Sequence, residues 1–115
     1  MKPATSYDKG LFAEGFAKNY FYIKGYSVVA ERFKTPQGEI DLILKKKNGL
    51  VFVEVKMRQT IEMALESIHH RNQQRVLKAA ELYLQQNPKY NGFELRFDAL
   101  ALAPYTWPRH IENAW

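Results

Sequence analysis

The stretch from residue 39 to residue 57 constrains the fold more than any other part of the chain. Two runs rich in Ile, Leu and Val, residues 39–45 and 50–57, flank Lys46-Lys-Asn-Gly49. Asn-Gly between two such runs is the strongest short signal for a tight turn joining antiparallel strands, so a hairpin is expected. Alternate side chains of a strand share a face. Glu39, Asp41 and Ile43 are therefore expected on one side, and Ile40, Leu42 and Leu44 on the other. In the second strand Leu50, Phe52, Glu54 and Lys56 share a face, while Val51, Val53, Val55 and Met57 line the opposite one. One face of each strand is apolar throughout, and the other turns from apolar to charged partway along.

The pairs 43/52 and 41/54 have the same index sum, so a regular hairpin would set Ile43 against Phe52 and Asp41 against Glu54. Like charges directly opposed in a sheet repel, and a divalent cation between them would compensate. Alternating charge is ordinarily a solvated face, and an isolated Glu-x-Lys is ordinarily a surface pair of little energetic worth. Here the strands read as central ones covered by helices on both faces. That position points to a functional pair of acids.

The surrounding chain supplies those helices. From residue 7 to 24, Leu11, Ala13, Ala17, Tyr20, Phe21 and Ile23 recur at helical spacing, and Gly25 is placed to stop the helix. Residues 26–33 read as a strand, and Thr35-Pro-Gln-Gly38 as a turn in which Pro36 and Gly38 supply the fixed and the permissive dihedrals. A helical region runs from about residue 60 to 86, broken near 67–70, with Val76, Leu77, Ala80 and Leu84 as its clean apolar face. Pro88 and Gly92 end it, and residues 93–103 form a fourth strand. A strand after a helix joins the sheet in parallel through a right-handed crossover. Residues 104–115 carry two prolines and two tryptophans without readable periodicity and are expected as an irregular tail.

The chain has 115 residues, the size of one domain, expected to span residues 1–115. It contains no cysteine and three histidines, two of them adjacent at His69 and His70. Thiolate zinc sites are excluded and a histidine-built site is disfavoured, so a metal would take oxygen ligands, which selects Mg²⁺ or Mn²⁺. The formal charge of +5 suits a polyanionic partner. No apolar run approaches the ~20 residues of a membrane helix, and Met1 to Lys9 lacks the apolar stretch of a secretory signal. A cytoplasmic protein without membrane association is the expectation.

Gly38-Glu-Ile-Asp-Leu-Ile43 followed by Val51-Phe-Val-Glu-Val-Lys-Met-Arg58 resembles the YraN-like family of small bacterial proteins, within the restriction-endonuclease-like PD-(D/E)xK superfamily. The superfamily pattern is an acid on the second core strand and Glu-x-Lys on the third, matched by Asp41 and Glu54-Val55-Lys56. Gly10, Glu14 and Ala17 are similar to the family's first-helix motif, in which a glutamate faces the active site as in archaeal Holliday-junction resolvases. Gly25-Tyr26, Ala79-Ala80, Tyr83-Leu84, Arg96-Phe97-Asp98 and the ending His110-Ile-Glu-Asn-Ala-Trp115 also resemble the family. Three departures stand out: Arg32-Phe33-Lys34 replaces a usual Asn-x-Arg, Asn72 stands near a usual lysine, and a glycine after the third strand is missing.

The resemblance implies an α/β, restriction-endonuclease-like three-layer core of order αβββαβ, its mixed central sheet flanked by helices. It implies a metal-dependent nuclease in which Asp41, Glu54, the carbonyl of Val55 and Glu14 hold Mg²⁺ or Mn²⁺. Lys56 would orient or deprotonate the attacking water and offset developing charge, and Glu39 would be auxiliary. Arg32, Lys34, Arg58, Arg71 and Arg75 are the expected phosphate contacts. The implied partner is nucleic acid, DNA before RNA, with branched DNA in repair or recombination suggested by the resolvases. Those act as homodimers, and an exposed apolar tail would serve as a dimer surface. The alternative is a nucleic-acid-binding module that keeps the fold without cleavage, and a scaffold whose acids are surface charges is a third reading. Lys45–Lys47 is expected as a charged turn far from the acids, His69 and His70 as surface or hinge residues. Tyr7, Tyr20, Tyr22, Trp107 and Trp115 are expected as core and covering residues rather than base-stacking platforms.

Overall fold

A computed structural model describes residues 6–68 and 70–115, with the side chains of residues 6–8, 70 and 71 outside that description. Helix α1 (Ser6–Ile23) leads into strands β1 (Ser27–Lys34), β2 (Glu39–Lys46) and β3 (Gly49–Met57). Helices α2 (Ile61–Glu66) and α3 (His70–Gln86) follow, then a 3-10 turn at Pro88–Tyr90, strand β4 (Glu94–Leu102) and a short β5 (Arg109–Ile111). The five strands form one sheet in the order β1-β2-β3-β4-β5. Neighbours run antiparallel except β3 and β4, which are parallel, as the intervening helices allow. This is the mixed α/β sheet with helices on both faces expected from the sequence.

Each face of the sheet is buried by a helix stripe. On one side Ala13, Ala17 and Phe21 of α1 cover Leu42, Leu44, Val53 and Leu100. On the other, Val76, Ala79, Ala80 and Tyr83 of α3 cover Ile43, Leu50 and Phe52, and Ile61 and Ala64 of α2 cover Ala101 and Ala103. Small residues on the helices let the backbones approach the sheet, and each fully buried Leu, Ile or Phe there stabilises by roughly 1.5–3 kcal/mol. The apolar stripes differ in detail from those read off the sequence. Leu77 faces solvent while Ala79 and Tyr83 are buried, and on α1 Leu11 and Ile23 are exposed. Spacing alone cannot locate the centre of a stripe that is apolar over more than half the helix.

Two glycines do different work. Gly25 adopts φ 93° just past α1, the left-handed conformation that ends a helix. Gly38, expected to supply a permissive dihedral, has no left-handed φ. It is required by proximity instead, because a Cβ there would lie 2.4 Å from the backbone oxygen of Arg75 in α3.

The tail is not irregular throughout, since β5 pairs with β4 through Ala99–Ile111, Leu100–His110 and Ala101–Arg109. Its anchor is Asp98, fully buried in β4. Arg96 Nε and Nη2 donate to its two carboxylate oxygens at 2.8 Å each, and Asn113 N donates at 3.2 Å. His110 Nε2 lies 2.7 Å from Asp98 Oδ2, and Lys24 Nζ lies 2.8 Å from His110 Nδ1. An ammonium cannot accept, so Nδ1 is the acceptor and Nε2 carries the proton given to Asp98. Burial pushes the Asp98 carboxyl up, but the hydrogen bonds from His110, Arg96 and the Asn113 amide outweigh it and hold the group below the usual carboxylate range.

Among the described residues, no helix is long and apolar enough to cross a membrane. Tyr20 and Trp115 pack against the cores, whereas Tyr22 and Trp107 are exposed, contrary to a covering role. The side chains of Tyr7 and His70, and all of His69, lie outside the described residues.

Candidate active site

The β2–β3 ladder runs from Lys46–Gly49 through Ile43–Phe52 to Leu42–Val53. The register is the one the hairpin count predicts, but the pairing stops one rung short of Asp41 and Glu54. In place of that rung, Asp41 Oδ2 accepts a hydrogen bond from Val55 N at 2.8 Å. The two acids are therefore not a ladder pair, although the Glu54 charge still acts on Asp41.

The parting starts on β1. Arg32 has φ 50°, a left-handed conformation that costs a non-glycine residue roughly 1–2 kcal/mol. It stands between the pairs Glu31–Leu42 and Phe33–Ile40. Ala30 and Phe33, three apart, consequently pack on the α3 side, as do Ile40 and Ile43 opposite them. Ile40 is thus not on the face of Leu42 and Leu44, where strict alternation would place it. Arg32 and Asp41 both turn into a cleft on the side of α1.

This cleft, about 430 Å³, is lined by Lys9, Gly10, Ala13 and Glu14 of α1, Arg32 of β1, Glu39 and Asp41 of β2, and Val55 to Arg58 at the end of β3. Arg32 Nε donates to Glu14 Oε2, so the first-helix glutamate is held by an arginine. Lys56 Nζ lies 3.3 Å from Glu54 Oε1. Glu54 is buried and lies outside the cleft lining, and among the described residues its Oε2 has no hydrogen-bond partner. Arg58 is exposed and caps its own strand through Nη1 to Met57 O at 2.8 Å.

Of the expected phosphate contacts, Arg32 and Arg58 line the cleft. Lys34 is exposed at the end of β1, outside the lining. Arg75 is turned to the β1–β2 turn, donating from Nε to Gln37 O at 3.1 Å, and the Arg71 side chain lies outside the described residues. Lys45 and Lys46 sit at the far end of the hairpin, over the rings of Phe93 and Tyr26. Sequence reasoning passed over Lys9, although it stands four residues before Ala13 and one turn from Glu14's stripe, spacing that marks a shared helix face.

Burial is the largest influence on Asp41 and, with the neighbouring Glu54 and Glu14 charges, pushes its carboxyl from 3.8 up to about 6 against the opposing effects of the Val55 amide and Lys56. Among the described residues no group of three or more Asp, Glu or His side chains converges as a ready ligand cage, and Glu14 is not a third carboxylate of such a set. The donors that fit a hard cation are fewer. Asp41 is a carboxylate disfavoured by burial, and Glu54 Oε2 is a buried oxygen without a donor. Arg58 N donates to Leu102 O, so even-numbered amides of β3 face β4 and odd ones face β2. N–H and C=O of one strand residue lie on the same edge, which turns the Val55 carbonyl to the opening beside Asp41. Two carboxylates, one carbonyl and water suit Mg²⁺, which commonly takes only one or two protein carboxylates.

Comparison with known proteins places the chain in a family. Residues 13–102 match the profile described as Uncharacterised protein family UPF0102. A UPF0102 protein of Rhodopseudomonas palustris (strain BisB18) is 44% identical over 111 residues, covering 96% of this chain and 82% of that protein. One from Nitrobacter winogradskyi is 41% identical, covering 96% and 94%, and one from Bradyrhizobium diazoefficiens is 42% identical, covering 96% and 84%. The matched span runs from within α1 to the end of β4, and the chain belongs to the UPF0102 family, the YraN-like family its strand motifs resemble.

Proposed function

We propose that the cleft is a metal-dependent site that hydrolyses phosphodiester bonds in nucleic acid. The observation that carries the reading is the parting of β2 from β3. It leaves Asp41 disfavoured as an anion and Lys56 at the cleft wall, while Glu54, outside the cleft lining, is near enough for its charge to raise Asp41 and has no donor to Oε2 among the described residues. Buried acids left short of donors are costly unless something positive completes them.

Asp41, Glu54 and the Val55 carbonyl would hold Mg²⁺ or Mn²⁺. When bound, the ion polarises the phosphate and lowers the pKa of its water. Lys56, released from sole charge of Glu54, holds the attacking water in line or takes its proton through Nζ, and neutralises charge gathering on the phosphoryl oxygens. Arg58 and Lys9 at the cleft rim hold the flanking phosphates. Glu39, exposed in the lining, is auxiliary, steering a water or an outer cation. The resemblance to junction resolvases extends the proposal to DNA over RNA and to branched DNA in repair or recombination, and a nucleic-acid substrate fits the expected cytoplasmic location.

A second reading has one observation in its favour. Glu14 is committed to Arg32, as a module that binds nucleic acid without cutting it would tolerate. Cleavage of labelled branched DNA, duplex, single strand and RNA separates the two, with Mg²⁺, Mn²⁺ or EDTA and with Glu54→Gln alongside. Metal-dependent cutting that vanishes in the variant is the expected result. Binding without cutting under every metal condition would leave the non-catalytic module.

A further inference from the structure

A second concavity, of about 680 Å³, adjoins the cleft and shares Met57 with it. Where the cleft is lined by charges, this groove is lined by Phe12 and Phe16 of α1 and by the loop from Pro104 to Pro108. Its aromatic residues are held out in solvent: Trp107 is 90% exposed, Tyr105 fully so, and Phe12 61%. Exposed aromatic surface of this kind is expensive in water and marks a binding site when it is contiguous.

The backbone of the loop is held in place. Tyr105 sits at φ 56°, a conformation that a bulky side chain adopts only under constraint. Pro104 and Pro108 fix the dihedrals at either end, Thr106 Oγ1 donates to Pro104 O at 3.0 Å, and pairing of β5 with β4 anchors the exit. A backbone held this firmly loses little entropy on binding. Lys9 and Arg58 border the cleft, and Arg109 follows the loop, exposed, so the groove is flanked by positive charge. The patch is one helix stripe and one short loop, far fewer than the ~20–30 residues per side of a standard protein interface. Its volume falls in the ~300–1,000 Å³ range of small flat ligands.

We propose that this groove stacks the unpaired bases of a nucleic-acid strand whose backbone lies in the adjoining cleft. The inference rests on the reading of the cleft as a phosphodiester site. It deepens that reading by naming the substrate class: a duplex interrupted or ended by unpaired nucleotides. Phosphates take the basic rim, and the bases that follow turn onto Trp107, Tyr105 and the Phe12–Phe16 pair, whose ring centres are 6.5 Å apart.

The test is binding by the whole chain in EDTA to a duplex carrying a single-stranded overhang and to a blunt duplex of equal length. Trp107→Ala should weaken overhang binding about ten-fold, in line with the loss of one stacked base, and blunt-duplex binding less than two-fold. Trp107→Phe should restore most of the difference. Equal losses on both probes, no loss on either, or no binding of the overhang by the wild type would overturn the proposal. So would a dimer, seen by light scattering, that Trp107→Ala dissolves while leaving overhang binding intact. Cleavage is followed separately with Mn²⁺. Trp107-dependent binding without any cleavage removes the hydrolase and keeps the groove, whereas cleavage with Trp107-independent binding does the reverse.

Discussion

Asp41 Oδ2 accepts a hydrogen bond from the backbone amide of Val55 at 2.8 Å, two residues beyond the last β2–β3 pair, Leu42–Val53. A side-chain carboxylate thus does what a strand carbonyl would do in an unbroken ladder. It satisfies the amide, ends the pairing and leaves an opening between strands that are closely paired one rung earlier. The same bond fixes the carboxylate at the Val55 backbone, where the Glu54 charge acts on it. The residue that opens the sheet is therefore also one of the acids the opening presents.

That arrangement makes the ionised form of Asp41 a cost to folding. Its folded-state value of about 6 lies above the ordinary 3.8, so its contribution to stability is full below pH ~4 and is lost as pH rises through about 6. Asn at this position can still accept from Val55 N but carries no charge. Asp41→Asn should leave stability unchanged near pH ~4 and raise it by about 1–3 kcal/mol near pH ~8 in EDTA, allowing for partial exposure. Urea unfolding at the two pH values checks this, and a variant no more stable than wild type at the higher pH would falsify the burial argument.

Gly38 offers a test of packing independent of chemistry. With a Cβ only 2.4 Å from the Arg75 carbonyl oxygen, Gly38→Ala must push the β1–β2 turn off α3. The Arg75–Gln37 hydrogen bond would be strained with it. Loss of about 1–3 kcal/mol is expected, with a second effect on the cleft because Glu39 and Asp41 follow the turn directly. Should Gly38→Ala instead match the wild type in urea unfolding, the close approach of turn and helix is wrong.

How much of this was legible beforehand depends on which interaction decided each feature. The hairpin, the parallel fourth strand and the two covering helices came from periodicity and turn residues, which act locally, and the structure keeps them. The hairpin register also came out right, because it is fixed by the turn and by Ile43 facing Phe52. What periodicity could not carry was the loss of the next rung. That depends on the left-handed Arg32 in the neighbouring strand and on a side chain competing for a backbone amide, and neither leaves a trace in the spacing of β2 or β3. The family resemblance flagged residues 32–34 as a departure, with Arg where Asn is usual. The positive φ gives the site a backbone reason to favour Asn. The short β5 was missed for a similar reason. Three residues cannot show alternation, and their pairing is secured by Asp98, far away in sequence. The individual acids and Lys56 could be named from the sequence, but the commitment of Glu14 to Arg32 could not.

The Asp98 anchor should be worth more than any single contact of the tail. Asp98→Asn removes the closest carboxylate of the half-buried Arg96 guanidinium, leaving it the 3.7 Å pair with Glu112. It also takes the charge His110 donates to, so about 1–3 kcal/mol of destabilisation near pH ~7 is expected. Since the Asp98 carboxyl is held below its usual range, its contribution is present above the unfolded value and fades as pH falls through the folded one. The gap between variant and wild type should therefore narrow in acid. Trp115 reports on the tail through its packing against Phe97. A pH-independent gap in Trp115 emission-monitored unfolding would count against the charge pairing.

Lys56 separates the two duties assigned to it. Its Nζ lies 3.3 Å from Glu54 Oε1, while among the described residues Oε2 has no partner. Removing it in Lys56→Ala leaves a buried carboxylate with no donor on either oxygen, at a cost of about 1–3 kcal/mol in metal-free protein. If Glu54 is a ligand, Mn²⁺ should repair that loss, so the variant's thermal stabilisation by Mn²⁺ should exceed that of the wild type. On the proposed role of Lys56 in positioning the water or taking its proton, cleavage should fall by about 100-fold or more even at saturating metal. Calorimetric melting with and without Mn²⁺, paired with single-turnover cleavage, reads both. A variant that cuts normally keeps the metal site and loses the catalytic lysine. One that is destabilised but indifferent to Mn²⁺ makes Lys56 a structural partner of Glu54 and takes Glu54 out of the ligand set.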